Sequence, residues 1–145
     1  EHVRRVALRT SLVMAKERGT VFDYLFKLAK FFLGGPVAGG NQMVSWVHVE
    51  DYCRAVEWLI EHPEIRGVIN VTAPDPLTNA EMMKRFRKLA KRPFGLPAAV
   101  WMAEIGAMVL GTEPELILKS NWVLPRRLQQ NGFVFRYPEM DLSKW

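Results

Sequence analysis

"MVSWVHVEDYCRAVEWLIEHPEIRGVINVTA" runs from Met43 to Ala73, and its reading decides the fold. Met43 to Val49 is a short apolar, β-branched run that reads as a strand. Glu50 or Asp51 stands where a helix N-cap belongs, and Tyr52, Ala55, Val56, Leu59 and Ile60 then recur on one helical face to about Glu61. Pro63 and Gly67 end that helix, and "VINVTA" (Val68 to Ala73) is a second apolar strand. Strands joined through a helix of this length pair in parallel, because a hairpin connection is too short to hold one.

Outward from this unit the alternation continues. Val6 to Met14 reads as a buried strand broken by Gly19. Val21 to Leu33 follows as a helix whose narrow polar stripe is Asp23, Lys27 and Lys30, which predicts burial on most sides. Gly34 and Gly35 stop it, and the segment to Gln42 reads as a flexible surface loop. Downstream, Thr78 and Glu81 have the spacing of a capping box. Met82, Phe86 and Leu89 form the inward stripe of the helix they open, while Lys84, Arg85, Arg87, Lys88 and Lys91 face out. Further helices are expected over Ala98 to Leu110, from Glu115 to Leu118, and after Pro125, the last closed by Asn131-Gly132. "FVFRY" (Phe133 to Tyr137) is a short strand or an extended tail. Strand–helix alternation of this kind belongs to the α/β class.

The 145 residues are one domain's worth, and the net charge is +5. Much of that surplus lies in "KRFRKLAKR" (Lys84 to Arg92), whose outer face carries no aromatic residues on which bases could stack, so a solvated face is expected rather than a nucleic-acid site. One cysteine, Cys53, allows no internal disulfide and no CxxC metal site; it fits a reducing, cytoplasmic setting and reads as a small core residue. The longest apolar stretch, Leu96 to Gly111, contains Glu104 and is too short to span a bilayer, so no membrane partner is expected.

The candidate chemistry is sparse. "GGPVAGG" (Gly34 to Gly40) lacks the G-x-G-x-x-G spacing, follows a helix instead of opening one, and contains Pro36, which has no amide to offer a phosphate. His48 lies near Asp51, which could orient its imidazole or cap the helix, but no serine elbow or paired nucleophile accompanies it. A hydrogen-bonded structural histidine is the first reading and a substrate-lining one the second.

Taken together, Arg9-Thr10 at a strand end, Trp46-Val-His48-Val-x-Asp51, and the run from Asn70 to Glu81 ("NVTAPDPLTNAE") resemble the C-terminal half of an atypical extended short-chain dehydrogenase/reductase. The branch is the NAD-dependent epimerase/dehydratase-like one, also labelled cell-division-inhibitor-like or nucleoside-diphosphate-sugar-epimerase-like. "VLPRRLQQNGFVFRYPEM" (Val123 to Met140) resembles its C-terminal extension, and the likeness covers essentially the whole chain.

That resemblance implies the last parallel strands of a Rossmann-type sheet, a helical substrate-binding part to about residue 95, and a helical extension over 96–145. It implies NADP or NAD as cofactor, bound mainly by an N-terminal Rossmann region that would be this chain's first partner, beside a small-molecule substrate. A homodimer is a further assembly compatible with it. Arg9, Thr10, Ser11 and Leu12 match the loop that passes the nicotinamide; the branch usually has glycine where Ser11 stands. Gln42, Ser45, Trp46 and His48 match the substrate side. Sugar-nucleotide epimerases carry a phosphate-gripping arginine four residues before this histidine, where this chain has Val44, so a nucleotide-sugar substrate is not implied.

The acid/base pair Tyr-x-x-x-Lys is absent from these residues: Leu28, Val56 and Asp141 stand four after Tyr24, Tyr52 and Tyr137. The expected function is therefore the substrate-binding part of an oxidoreductase or epimerase. The competing reading is a non-enzymatic interaction module whose open sheet edge recruits a partner.

Overall fold

The computed structural model describes residues 3–99 and 119–145. The helices expected over Ala98 to Leu110 and Glu115 to Leu118 lie almost wholly outside them. The chain forms two compact units interleaved along the sequence. One comprises Glu1–Ala15, Ser45–Pro76 and Val123–Met140; the other comprises Lys16–Val44, Leu77–Trp122 and Asp141–Trp145.

The first unit is the parallel α/β part. Strand β1 (Val6–Thr10) pairs in parallel with β5 (Gly67–Val71), Val6 opposite Gly67 and Thr10 opposite Val71. Strand β2 (Leu12–Met14) pairs in parallel with β4 (Trp46–His48). The single strand expected over Val6 to Met14 is thus two strands that change partner at Ser11. The Ser11 amide donates to the Val71 carbonyl and the Leu12 amide to the Ser45 carbonyl. Backbone groups alternate in direction along a strand, so consecutive amides reach different neighbours.

Helix α2 (Val49–Glu61) and helix α4 (Arg126–Gln130) complete this unit. Its core is Val47, Ala55, Leu59, Ile65, Ile69, Val71, Leu128 and Phe133. Each strand contributes the residues that its pleat turns inward, and α2 contributes positions four apart. The buried face of α2 is Asp51, Ala55 and Leu59, which leaves Ile60 71% exposed and Cys53 exposed. Cys53 is therefore a surface thiol and not the core residue expected. The C-terminus of α2 has no basic residue of its own in the last turn. Arg4 supplies the missing charge, its guanidinium donating to the carbonyls of Leu59 and His62.

The second unit packs helix α1 (Val21–Lys30) on helix α3 (Asn79–Leu89), with the rings of Phe22 and Phe86 5.1 Å apart. The capping box at Thr78 and Glu81 forms as read, each residue satisfying an amide of the other. Helix α1 ends three residues earlier than expected. Phe31 is its C-cap and Phe32 takes φ 62°, a left-handed residue that turns the chain before the glycines are reached. Only Phe22 and Ala29 of α1 are fully buried, and Val21, Tyr24 and Leu28 are exposed, so the helix packs on one side instead of most.

The segment Gly34 to Gly40 differs most from expectation. It is not a free loop. The Gly35 amide donates to Leu96, Ala98 donates to Pro36 and Ala38 donates to Ala98, which gives a short backbone ladder. The Val37 amide is taken by the Asn79 side chain and the Ala80 amide by Gly40. Backbone approaches backbone so closely here that a Cβ on Gly95 would lie 2.6 Å from the Gly34 carbonyl carbon, and one on Gly35 would strike the Leu96 carbonyl. Gly35→Ala is expected to break this ladder. A lowered urea midpoint, with protection from exchange lost at the Gly35 and Ala98 amides, would register it; unchanged protection would refute it.

Strand β3 (Met43–Val44) pairs antiparallel with β6 (Leu77–Thr78) in this same unit. The continuous strand expected over Met43 to Val49 is therefore interrupted at Ser45, and its two pieces belong to different compact units.

Candidate functional site

The residues assigned to the cofactor side sit at the C-terminal end of β1. In open α/β sheets ligands collect at that end of the strands, where loops diverge. Arg9 and Thr10 are exposed there, whereas Ser11 and Leu12 are half-buried. The Ser11 hydroxyl donates to the Val71 carbonyl at 3.3 Å. Arg9 and Thr10, consecutive in β1 and so turned to opposite faces, each bring an exposed donor to the strand end, of the kind that suits the phosphates or carboxamide of a nicotinamide dinucleotide. Ser11 fits it less well, because its side chain serves the sheet.

The four substrate-side residues are divided between the units, Ser45, Trp46 and His48 in the first and Gln42 in the second. Gln42 belongs to the second unit, where its side-chain amide donates to the Val37 carbonyl and its own carbonyl accepts from the Asn79 amide. Ser45 is 5% exposed, and its hydroxyl exchanges hydrogen bonds with the backbone of Val123, accepting at 2.8 Å and donating at 3.4 Å. Trp46 is fully buried; its indole N–H donates to the Asp75 carbonyl at 2.9 Å. Its carbonyl accepts from the Ala73 amide at 2.6 Å and from the Thr72 hydroxyl at 3.1 Å. Within this chain Ser45 and Trp46 hold the backbone together.

His48 is the half-buried member and the start of a distinct arrangement. It is the N-cap of α2, in place of Glu50 or Asp51: its Nδ1 accepts from the Glu50 amide at 3.2 Å. An Nδ1 that accepts carries no proton, so the neutral ring holds its proton on Nε2. Burial lowers the imidazole pKa below 6.5, and the charge of Asp51 opposes that shift only in part. The ring of Tyr137 stacks on the imidazole, centroids 3.8 Å apart.

Asp51 is the residue that sequence reasoning placed incompletely. It does not cap the helix, and its charge acts on the His48 ring. Fully buried, it accepts from the backbone amides of Arg136 at 2.9 Å and Tyr137 at 2.7 Å, and from the Arg54 guanidinium at 2.7 Å. Arg136 reaches Glu50 in a separate ion pair. The tail Phe133 to Tyr137 is thereby strapped along α2. Phe133 sits edge-on to Trp58 and under the Arg54 guanidinium, and Phe135 contacts Phe133 edge-on. The alternation of aromatic residues in "FVFRY", at Phe133, Phe135 and Tyr137, was the available signal for this docking. Among the described residues no group of three or more His, Cys, Asp or Glu could hold a metal ion, and no helix is long and apolar enough to cross a membrane.

Comparison with known proteins gives the wider context. Residues 101–142 match the family described as "Domain of unknown function (DUF1731)". The chain is 32% identical over 135 residues to the chloroplastic epimerase family protein SDR39U1 homolog of Arabidopsis thaliana, covering 93% of this chain and 38% of that protein. It is 30% identical over 147 residues to epimerase family protein YfhF of Bacillus subtilis, covering 99% and 47%. The chain thus spans less than half the length of these relatives. Among solved structures, it superposes on human epimerase family protein SDR39U1 (isoform 2) with NADPH with a TM-score of 0.84, at 27% identity, covering 95% of this chain and 46% of that one. A nucleoside-diphosphate sugar epimerase from Corynebacterium glutamicum gives a TM-score of 0.66 at 26% identity, covering 97% and 25%. In sequence this chain is similar to part of the epimerase family proteins, consistent with their C-terminal part, and in fold it is similar to part of Rossmann-type epimerases of the short-chain dehydrogenase/reductase kind.

Proposed function

We propose that this chain is the substrate-side part of an NAD(P)-dependent oxidoreductase or epimerase-like protein, and that a Rossmann region supplies most of the dinucleotide contacts. The observation that carries the reading is the half-covered β1–β5 ladder. Parallel strands are stable when both faces are covered by other elements. Val6, Leu8, Ile69 and Val71 face the core or pack against it, whereas Ala7, Arg9, Thr10 and Val68 are exposed, Val68 to 42%. A sheet face left partly open, with Ala7, Arg9 and Val68 exposed on it, suits a docking Rossmann region with a cofactor at the strand ends. The relatives that extend beyond this chain, and the NADPH named with the human structure, support the same reading.

Calorimetric titration of NADPH and NADH tests it. The chain alone is expected to show no saturable binding up to ~1 mM, about the weakest affinity such titrations resolve. Co-expression with the N-terminal half of the Bacillus subtilis relative should give a complex that binds one of the two dinucleotides. Tight binding by the chain alone would overturn the division of labour. A stable complex that binds neither nucleotide would favour the interaction-module reading instead.

A further inference from the structure

The C-terminal segment carries a feature that the cofactor and substrate assignments leave unused. Three independent contacts converge on the first turn of α2. The Asp51 carboxylate, fully buried, accepts the Arg136 and Tyr137 amides. The Glu50 amide donates to His48 Nδ1. The Tyr137 ring covers the imidazole face-on, with 28° between the planes. The charge that acts on the ring is Asp51, which is paired with Arg54, while Glu50, whose amide bonds Nδ1, is paired with Arg136.

A carboxylate with no water at hand binds amides more strongly than an exposed one, since its alternative is an unpaired buried charge. The backbone of residues 136 and 137 is therefore held against α2, and it cannot lift away, carrying the Tyr137 ring with it, without freeing that charge. The amide bond at Nδ1 selects one tautomer, and the stacked ring restricts the other ring motions.

We propose that Asp51 and Tyr137 are positioning residues for His48: through them the C-terminal strap keeps the imidazole in one orientation, neutral and protonated on Nε2. This deepens the substrate-side reading of His48 and rests on it. A site built in this way would present a fixed, uncharged imidazole to its ligand and would lose that property if the strap were displaced.

The test reads His48 itself by long-range proton–nitrogen correlation on histidine-labelled chain in an H2Q background. His62 is an internal control. Its Nδ1 lies 2.7 Å from the Trp58 carbonyl and so carries the proton, the opposite tautomer to His48. In the wild type, His48 should show the Nε2-protonated pattern alone and titrate below 6.5. Y137A should raise the midpoint toward 6.5 and mix the two tautomers, and Y137F should restore the wild-type pattern. D51N should mix the tautomers as Y137A does, but the Asp51 charge raises the midpoint, so its loss pulls that midpoint down. His62 should not respond to any of them.

A wild-type His48 that already shows mixed or Nδ1-protonated signals would overturn the proposal whatever the variants do. So would a folded Y137A or D51N with an unaltered His48. If Y137A does not fold, the wild-type pattern and D51N decide. The substrate-side reading is judged separately, by H48Q in the dinucleotide-binding complex. Turnover unaffected by H48Q would remove His48 from the substrate side while leaving the positioning result intact.

Discussion

Asp51→Ala is expected to destabilise the chain by about 3–5 kcal/mol, the cost of breaking a buried charge pair and orphaning its partners. The buried carboxylate holds two backbone amides and one guanidinium. The ion pair to Arg54 is the smaller part, because Arg54 is a third exposed and its charge can be met by water. The two amides decide the magnitude: they come from residues 85 and 86 positions away, so their loss releases a segment and not a single turn. Asp51→Asn should cost nearly as much, since an amide group offers one acceptor oxygen where two are used. Urea unfolding followed by tryptophan fluorescence measures the shift, and early exchange of the Arg136 and Tyr137 amides assigns it to the strap. A D51A variant within about 1 kcal/mol of wild type, well below the penalty for one orphaned buried group, would show that the strap contributes little.

Trp46→Ala should cost about 3–5 kcal/mol, as truncations of buried aromatic side chains do. Trp46 is fully buried, and its polar atoms brace the residues after β5: Thr72, Ala73 and Asp75 all bond to it. Trp46→Phe separates packing from hydrogen bonding. It keeps most of the apolar volume and loses the indole N–H, and because Asp75 is exposed its carbonyl can turn to water, so the loss should be only about 0.5–1.5 kcal/mol. This pair also bears on function. If Trp46 acts by bracing the strand ends, W46F should retain dinucleotide-dependent ligand binding in the complex with a Rossmann region. A folded W46F that loses ligand binding would make Trp46 a direct contact instead.

Much of this architecture is legible in the sequence. The strand–helix–strand reading of Met43 to Ala73, the Thr78–Glu81 capping box and the turn at Asn131-Gly132 are local features. Each depends on residues within a few positions, where spacing and backbone preference act directly. Gly132 indeed takes φ 92°, as a helix-ending glycine does. The family resemblance was likewise carried by short runs, Asn70 to Glu81 above all.

What could not be read depends on distant partners. Nothing near Ser11 or Ser45 marks a strand interruption, because the break is set by which neighbour each backbone amide meets. Gly34 to Gly40 looked loose by composition, yet the residues that tie it down are Asn79, Leu96 and Ala98. The outward Cys53 and Ile60 show the same limit: both lie on an apolar-looking helix, and only the direction of the sheet selects Ala55 and Leu59 as its buried face.

The sequence by itself determined the α/β class, the Thr78–Glu81 capping box and the family resemblance, because patterning and local capping are short-range. Only the tertiary structure decided the roles of His48, Asp51 and Tyr137. A carboxylate's function depends on which donors are brought to it, and here those donors arrive from the far end of the chain.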